Sequence, residues 1–190
     1  MAGRSVRNLI VPEEVIEGAG VRLRRSIGTR SFDHLDPFLL FDDFSSPDPD
    51  DHSRGFPLHP HRGIETVTYL LEGAVKHRDT TGASGTLGAG DVQWMTAGRG
   101  ILHEEMPQAM PGGIKGFQLW VNLPAKLKMT APKYQEIPSS KIPVAELKGG
   151  VRAHVITGNA AGVAGAVKGI AGDVDLNVLH SDATLYGLKS

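Results

Sequence analysis

The chain has 190 residues, 40% of them hydrophobic and 22% charged, with a formal net charge of -1 at pH 7. That length suits one full domain, or one domain and part of a second. The near-zero charge argues against broad electrostatic capture of nucleic acid or of a membrane surface. With no cysteine in the sequence, disulfides, thiolate metal sites and cysteine nucleophiles are excluded, and any metal must be held by histidine and carboxylate.

Residues 1–7 lack the apolar core of a secretory signal, and no run approaches ~18 apolar residues. The expected setting is therefore the cytoplasm, for a soluble protein without membrane contact. Glycine is abundant at 24 and proline stands at 12, and long helix-period stretches are absent, so many short strands joined by tight turns are predicted.

In chain order, residues 21–27 alternate with Val21 and Leu23 on one face, which reads as a half-buried strand with solvated arginines rather than a nucleic-acid contact. Residues 38–41 read as a buried strand, and residues 45–52 as an acidic loop rich in turn formers, with His52 exposed. Residues 66–71 form a β-branched, aromatic strand ended by Glu72 and Gly73, and residues 74–79 are expected to be the returning arm of a hairpin. The glycines at 82, 85, 88 and 90 belong to turns, since no Gly-Lys-Ser/Thr and helix follow to make a phosphate loop. A further strand at residues 116–123 sets Phe117, Leu119 and Val121 opposite Gln118, Trp120 and Asn122. The proline-punctuated segment 124–150, a connecting region with short extended pieces such as Tyr134-Gln135-Glu136-Ile137, leads to a second unit that begins with a strand at 151–158. Residues 159–172 are small and featureless, and residues 174–180 alternate as a strand.

The chemistry concentrates between residues 55 and 106. His59 with His61, and His103 with Glu105, are x, x+2 pairs, and in an extended strand such pairs point to one face. Two pairs meeting across a barrel would set four donors around one point. Three imidazoles and one carboxylate suit a borderline divalent metal and leave positions for exogenous ligands. The same four donors would also satisfy a purely structural ion. His77, on the following arm, either orients a ligand or faces solvent. Gln93, Met95 and Trp120 line the mouth of the pocket or belong to the core. His34, His154 and His180 receive no function.

The run Phe56-Pro57-Leu58-His59-Pro60-His61-Arg62-Gly63, continued to Gly73, resembles the pirin family of the cupin superfamily. So do residues 90–103, 36–42 and 119–123, and the resemblance covers roughly residues 9–158. It implies an all-β fold built on a cupin-type, jelly-roll-like β-barrel, with an iron-type metal on the residues matching His59, His61, His103 and Glu105. It also implies two functions. One is a metal-dependent dioxygenase of the quercetin 2,3-dioxygenase (quercetinase) type, opening a flavonol ring with O2 and releasing carbon monoxide. The other is a regulatory protein that binds transcription factors or enzymes without turnover.

The dioxygenase reading is preferred here, with Glu105 as the general base that takes the substrate's enol or phenol proton beside a Lewis-acidic metal. The expected cofactor is one divalent transition metal, Fe(II) ahead of Mn, Ni, Cu or Zn. The expected partners are a small planar polyphenol and O2, with a protein partner under the second reading. The general cupin pattern would make Glu65 a ligand, whereas pirins use the position of Glu105; a bulge or turn at Arg62-Gly63 would take Glu65 off the face of His61. Pirins carry two barrels, so the expected division is a metal-binding barrel at residues 1–130 and, at 131–190, a connecting segment with a partial second cupin unit. The barrel flank left exposed would favour a homo-oligomer.

Overall fold

The computed structural model of the chain describes residues 8–167 and the backbone of residues 176–180. Two facing antiparallel sheets form the barrel. The larger runs β1 (Glu13–Glu17), β2 (Val21–Ile27), β3 (Phe38–Asp43), β10 (Lys115–Asn122), β5 (Ile64–Glu72), β8 (Val92–Thr96) and β11 (Lys133–Ile137). The smaller runs β4 (Phe56–His61), β9 (Ile101–Pro107), β6 (Val75–Asp79) and β7 (Ser84–Leu87). Among the described residues no helix is long and apolar enough to cross a membrane.

The central strand β5 is buried from Ile64 to Leu70 because both faces of its sheet are covered. Val67 and Tyr69 point outward with Leu119, Val121, Val92 and Trp94, and that face is capped by Ile142, Ile156 and Val167 from the C-terminal segment. Each such aliphatic side chain, removed from water, contributes on the order of 1.5–3 kcal/mol. Thr66 and Thr68 point the other way, into the barrel, beside Gln118 and Trp120 of β10. The period-2 alternation of β5 and β10 thus sorts apolar residues to the sheet's outer face and a polar row to its inner one.

The C-terminal segment forms a three-stranded sheet of β12 (Val144–Glu146), β13 (Arg152–Thr157) and β16 (Leu176–His180). The stretch read as featureless contains a short ribbon, β14 (Asn159–Ala160) with β15 (Val163–Ala164).

Three sequence expectations change. Residues 74–79 do not return alongside β5: β5 pairs with β10 and β8, and β6 pairs with β9 and β7. The turn at Gly73 (φ 92°) carries the chain from one sheet to the other, as Gly63 (φ 71°) does between β4 and β5; both need the left-handed backbone that glycine adopts without penalty. His52 is not exposed but fully buried. Its loop folds back on the barrel, tied by Ser46 Oγ to Asp51 at 2.7 Å and by Arg22 to Asp51 at 3.2 Å. Finally, the extended piece read at 134–137 is more than part of a connector: Lys133–Ile137 adds the seventh strand to the large sheet by pairing with β8.

Candidate metal centre

Strands β4 and β9 are antiparallel neighbours with His59 opposite His103, His61 opposite Ile101 and Phe56 opposite Glu105. On its other side β9 pairs with β6, setting His77 opposite Glu105 and Asp79 opposite His103. Directly opposed residues share a face, so the two x, x+2 pairs and His77 all turn into the barrel. His61, His103 and Glu105 are buried, and His59 is half-buried.

The donor nitrogens of His59, His61 and His103 lie within 4.8 Å of one another, and His59 Nε2 is 3.0 Å from His61 Nε2. His59 Nδ1 is 2.8 Å from the Pro57 carbonyl. A carbonyl only accepts, so Nδ1 carries the proton and the Nε2 lone pair faces the cluster. His103 Nε2 is buried without a hydrogen-bond partner among the described residues, an arrangement that costs about 1–3 kcal/mol unless something bonds to it. Burial, with the neighbouring His103 and His59, lowers the His61 pKa to about 4. Burial likewise lowers that of His103. Both rings are neutral near pH 7, the form that ligates metal. An unpaired buried nitrogen and neutral imidazoles converging on one point are what a divalent transition metal fits.

Glu105 lies beside this cluster, its Oε2 3.9 Å from His103 Nε2. Gln118 Nε2 donates to both carboxylate oxygens, at 3.2 and 3.0 Å, and Thr68 Oγ1 donates at 3.2 Å. Burial pushes the Glu105 carboxyl up, but His103, the Gln118 amide and the other two imidazoles outweigh it and hold the group below its ordinary value. Glu65 belongs to the opposite face of β5 from Thr68, with Thr96 Oγ1 donating to its Oε1 at 2.7 Å. The carboxylate beside the three imidazoles is Glu105, and Glu65 is tied up elsewhere.

A cavity of about 350 Å³ opens onto His59 and His61, bounded by Phe56, Trp120, and the Arg25–Asp42 pair. Arg25 grips Asp42 with two 2.8 Å hydrogen bonds. Trp120 packs edge-on to His61 with ring centres 5.0 Å apart, so it lines the mouth. Met95 instead belongs to a core cluster with Ile64, Ala97 and Ile101, and Gln93 is buried on the inner face. His77 is buried rather than solvent-facing: its ring stacks on Tyr134 at 5.7 Å, and the Tyr134 hydroxyl lies 3.2 Å from His103 Nδ1. Burial, reinforced by nearby carboxylates, raises the Tyr134 pKa and keeps the phenol protonated. His34 is exposed, His154 lies on β13 away from the cluster, and the His180 side chain is outside the described residues.

Gln118, Thr68 and Tyr134 carried no role in the sequence reading. Gln118 had a signal, the polar face of an otherwise apolar strand. Tyr134 was read only as the start of a short extended piece, residues 134–137, within a connecting region, and that piece is the strand β11.

A two-sheet barrel with paired inward-facing histidines on adjacent strands defines a cupin. The Pirin family model matches residues 20–121. A pirin-like protein of Caulobacter vibrioides is 50% identical over 186 residues, 97% of this chain and 66% of that protein. The pirin of Homo sapiens is 50% identical over 163 residues, 85% of this chain and 54% of its own length. The crystal structure of quercetin 2,3-dioxygenase from Acinetobacter baumannii is similar with a TM-score of 0.73 and 41% identity, covering 88% of this chain and 60% of that one. The chain belongs to the pirin family, and it spans about half to two thirds of the length of these relatives.

Proposed function

We propose that this chain is the metal-binding barrel of a dioxygenase of the quercetin 2,3-dioxygenase type, opening a flavonol ring with O2. The observation that carries the reading is the pairing of a three-imidazole cluster with a carboxylate held by Gln118 and Thr68, beside a cavity of about 350 Å³. That volume lies within the range of ~300–1,000 Å³ usual for small-molecule sites. The protein of Acinetobacter baumannii named for this activity is 41% identical.

The ligands we assign are His59, His61, His103 and Glu105, with Fe(II) as the leading metal. A divalent ion held there supplies Lewis acidity toward a substrate phenol or enol oxygen. Glu105, ionised at neutral pH, accepts the proton of that oxygen as a positioned general base. Gln118 keeps the carboxylate turned toward the imidazoles while its own oxygen accepts the Trp120 indole N–H at 3.3 Å. Trp120 and Phe56 offer flat apolar walls suited to a planar polyphenol. Residues 131–190 then supply the barrel's last strand, a connector and a partial second unit.

The test is anaerobic reconstitution with Fe(II), followed by quercetin and O2 with direct detection of carbon monoxide. Metal-dependent carbon monoxide is the expected result, and a loaded protein that releases none contradicts the reading. A regulatory interaction module remains the second reading. It is favoured by the outward face of the small sheet, where Leu58 and Leu102 stay 53% and 42% exposed.

A further inference from the structure

His103 is approached from behind by a side chain of the opposite sheet. Its Nδ1 lies 3.2 Å from the Tyr134 hydroxyl, and its Nε2 is buried with no hydrogen-bond partner among the described residues. Neutral imidazole has one N–H, and the partner of one nitrogen decides which nitrogen keeps a lone pair. If Tyr134 donated to Nδ1, the proton of His103 would sit on Nε2, as a buried donor whose neighbouring acceptor, Glu105 Oε2 at 3.9 Å, is beyond hydrogen-bond distance. If Nδ1 donates to the phenol oxygen, Nε2 presents its lone pair to the point where the other two imidazoles converge.

We infer that Tyr134 is a positioning residue that takes the Nδ1–H of His103 and so sets Nε2 as the metal-binding atom, an inference that rests on the metal reading proposed above. The phenol oxygen replaces the carboxylate or backbone carbonyl that usually stands behind a ligating imidazole. Asp79 lies opposite His103 across β6 and β9, and its Oδ2 is buried with no hydrogen-bond partner among the described residues. Its charge also reaches Tyr134.

The tyrosine is itself held in place. β11 pairs with β8 so that Tyr134 lies opposite Met95, and one face of its ring rests on His77 with 22° between the planes. His77 Nε2 in turn lies 2.7 Å from Glu136 Oε1, a residue on Tyr134's own strand face. Gly85, opposite His77 on β7, leaves room for this pair, since a Cβ there would come within 2.7 Å of His77 Nε2 and 2.9 Å of Glu136 Oε1. Four strands from both sheets thus converge to fix one ring orientation.

Tyr134→Phe removes only the oxygen and keeps the ring against His77. Two readouts are needed: the 15N chemical shifts of His103 in the metal-free protein, and the zinc dissociation constant from competition with a chelating dye. We expect the wild type to carry the Nδ1–H form at His103 and the variant to shift toward Nε2–H, with zinc binding weakened about 10- to 100-fold. An unchanged tautomer together with zinc affinity within about twofold of wild type overturns the inference. Should Tyr134→Phe fail to fold, Glu136→Ala at the exposed end is expected to loosen the stack and weaken zinc binding severalfold; unchanged affinity there counts against it. A wild type that binds no zinc or iron at all defeats the metal reading, while the tautomer comparison in metal-free protein still decides the role of Tyr134.

Discussion

The Gln118 amide lies across the Glu105 carboxylate, its Nε2 3.0 Å from Oε2 and 3.2 Å from Oε1, while its oxygen accepts the Trp120 indole N–H at 3.3 Å. An indole N–H can only donate, so the amide is held in one orientation and cannot flip to repel the carboxylate. Glu105 → Gln should therefore keep the fold, since a neutral amide fills the same space, yet lose the base. We expect kcat to fall about 10²–10⁴-fold with the thermal midpoint nearly unchanged. Full activity in this variant would remove Glu105 from the chemistry.

Gln118→Leu is the milder companion. It deletes two donors to a buried carboxylate, and hydrogen bonds to charged groups contribute about 1.5–3 kcal/mol. Glu105 should then bind protons more readily, so the acid limb of the activity profile moves toward higher pH. A profile that superimposes on wild type would mean the Gln118 contact has no influence on Glu105.

The buried imidazoles make the metal-free protein acid-sensitive. The His61 pKa falls from 6.5 to about 4, chiefly through burial, so below pH 6.5 the unfolded chain takes a proton that the folded state refuses. The stabilising difference is fully present above pH 6.5 and is lost as pH falls toward 4, by on the order of 3 kcal/mol for this one group. Urea denaturation at pH 7.5 and 4.5 measures the loss, and His61→Leu should shrink it. Equal slopes for the two proteins would contradict the assignment.

Gly73 marks the crossing from the large sheet to the small one. Its φ is 92°, and an added Cβ would meet the Gly113 carbonyl and the Ile114 side chain, each at 3.1 Å. Gly73→Ala should cost roughly 1–3 kcal/mol, seen as a lowered thermal midpoint. An unchanged midpoint would show that the turn relaxes freely.

His52 gives a prediction of opposite sign. Both ring nitrogens are buried without hydrogen-bond partners among the described residues, and burial lowers its pKa. His52→Leu exchanges those nitrogens for apolar surface next to Phe44, Phe56 and Val75. Stability should hold or rise by about 1 kcal/mol; a loss above that size would reveal a bonded partner.

Much of the metal-centre geometry was legible because period-2 spacing is local: His59 and His61, or His103 and Glu105, share a face whatever the strand pairs with. Partner choice is not local, which is why the reversal at Glu72 and Gly73 read as a hairpin when it is a passage between sheets. Burial of His52 was hidden for a similar reason, since an acidic, proline-rich loop gives no sign that it folds back over a barrel end. The extended run at Tyr134 was legible, but its pairing with β8 and its contact with His103 are not local and were not. Glu65 is set apart from His61 by the change of sheet at Gly63, and the alternation of β5 turns it to the face away from Thr68.

The central claim is that His59, His61, His103 and Glu105 together hold one divalent ion. The most direct measurement is metal content by mass spectrometry after anaerobic loading and desalting, on wild type, His59→Ala and His103→Ala. One equivalent of iron per wild-type chain, lost or sharply reduced in both variants while their circular dichroism stays wild-type, is the predicted result. Iron retained at one equivalent in either variant, or absent from the wild type, contradicts it.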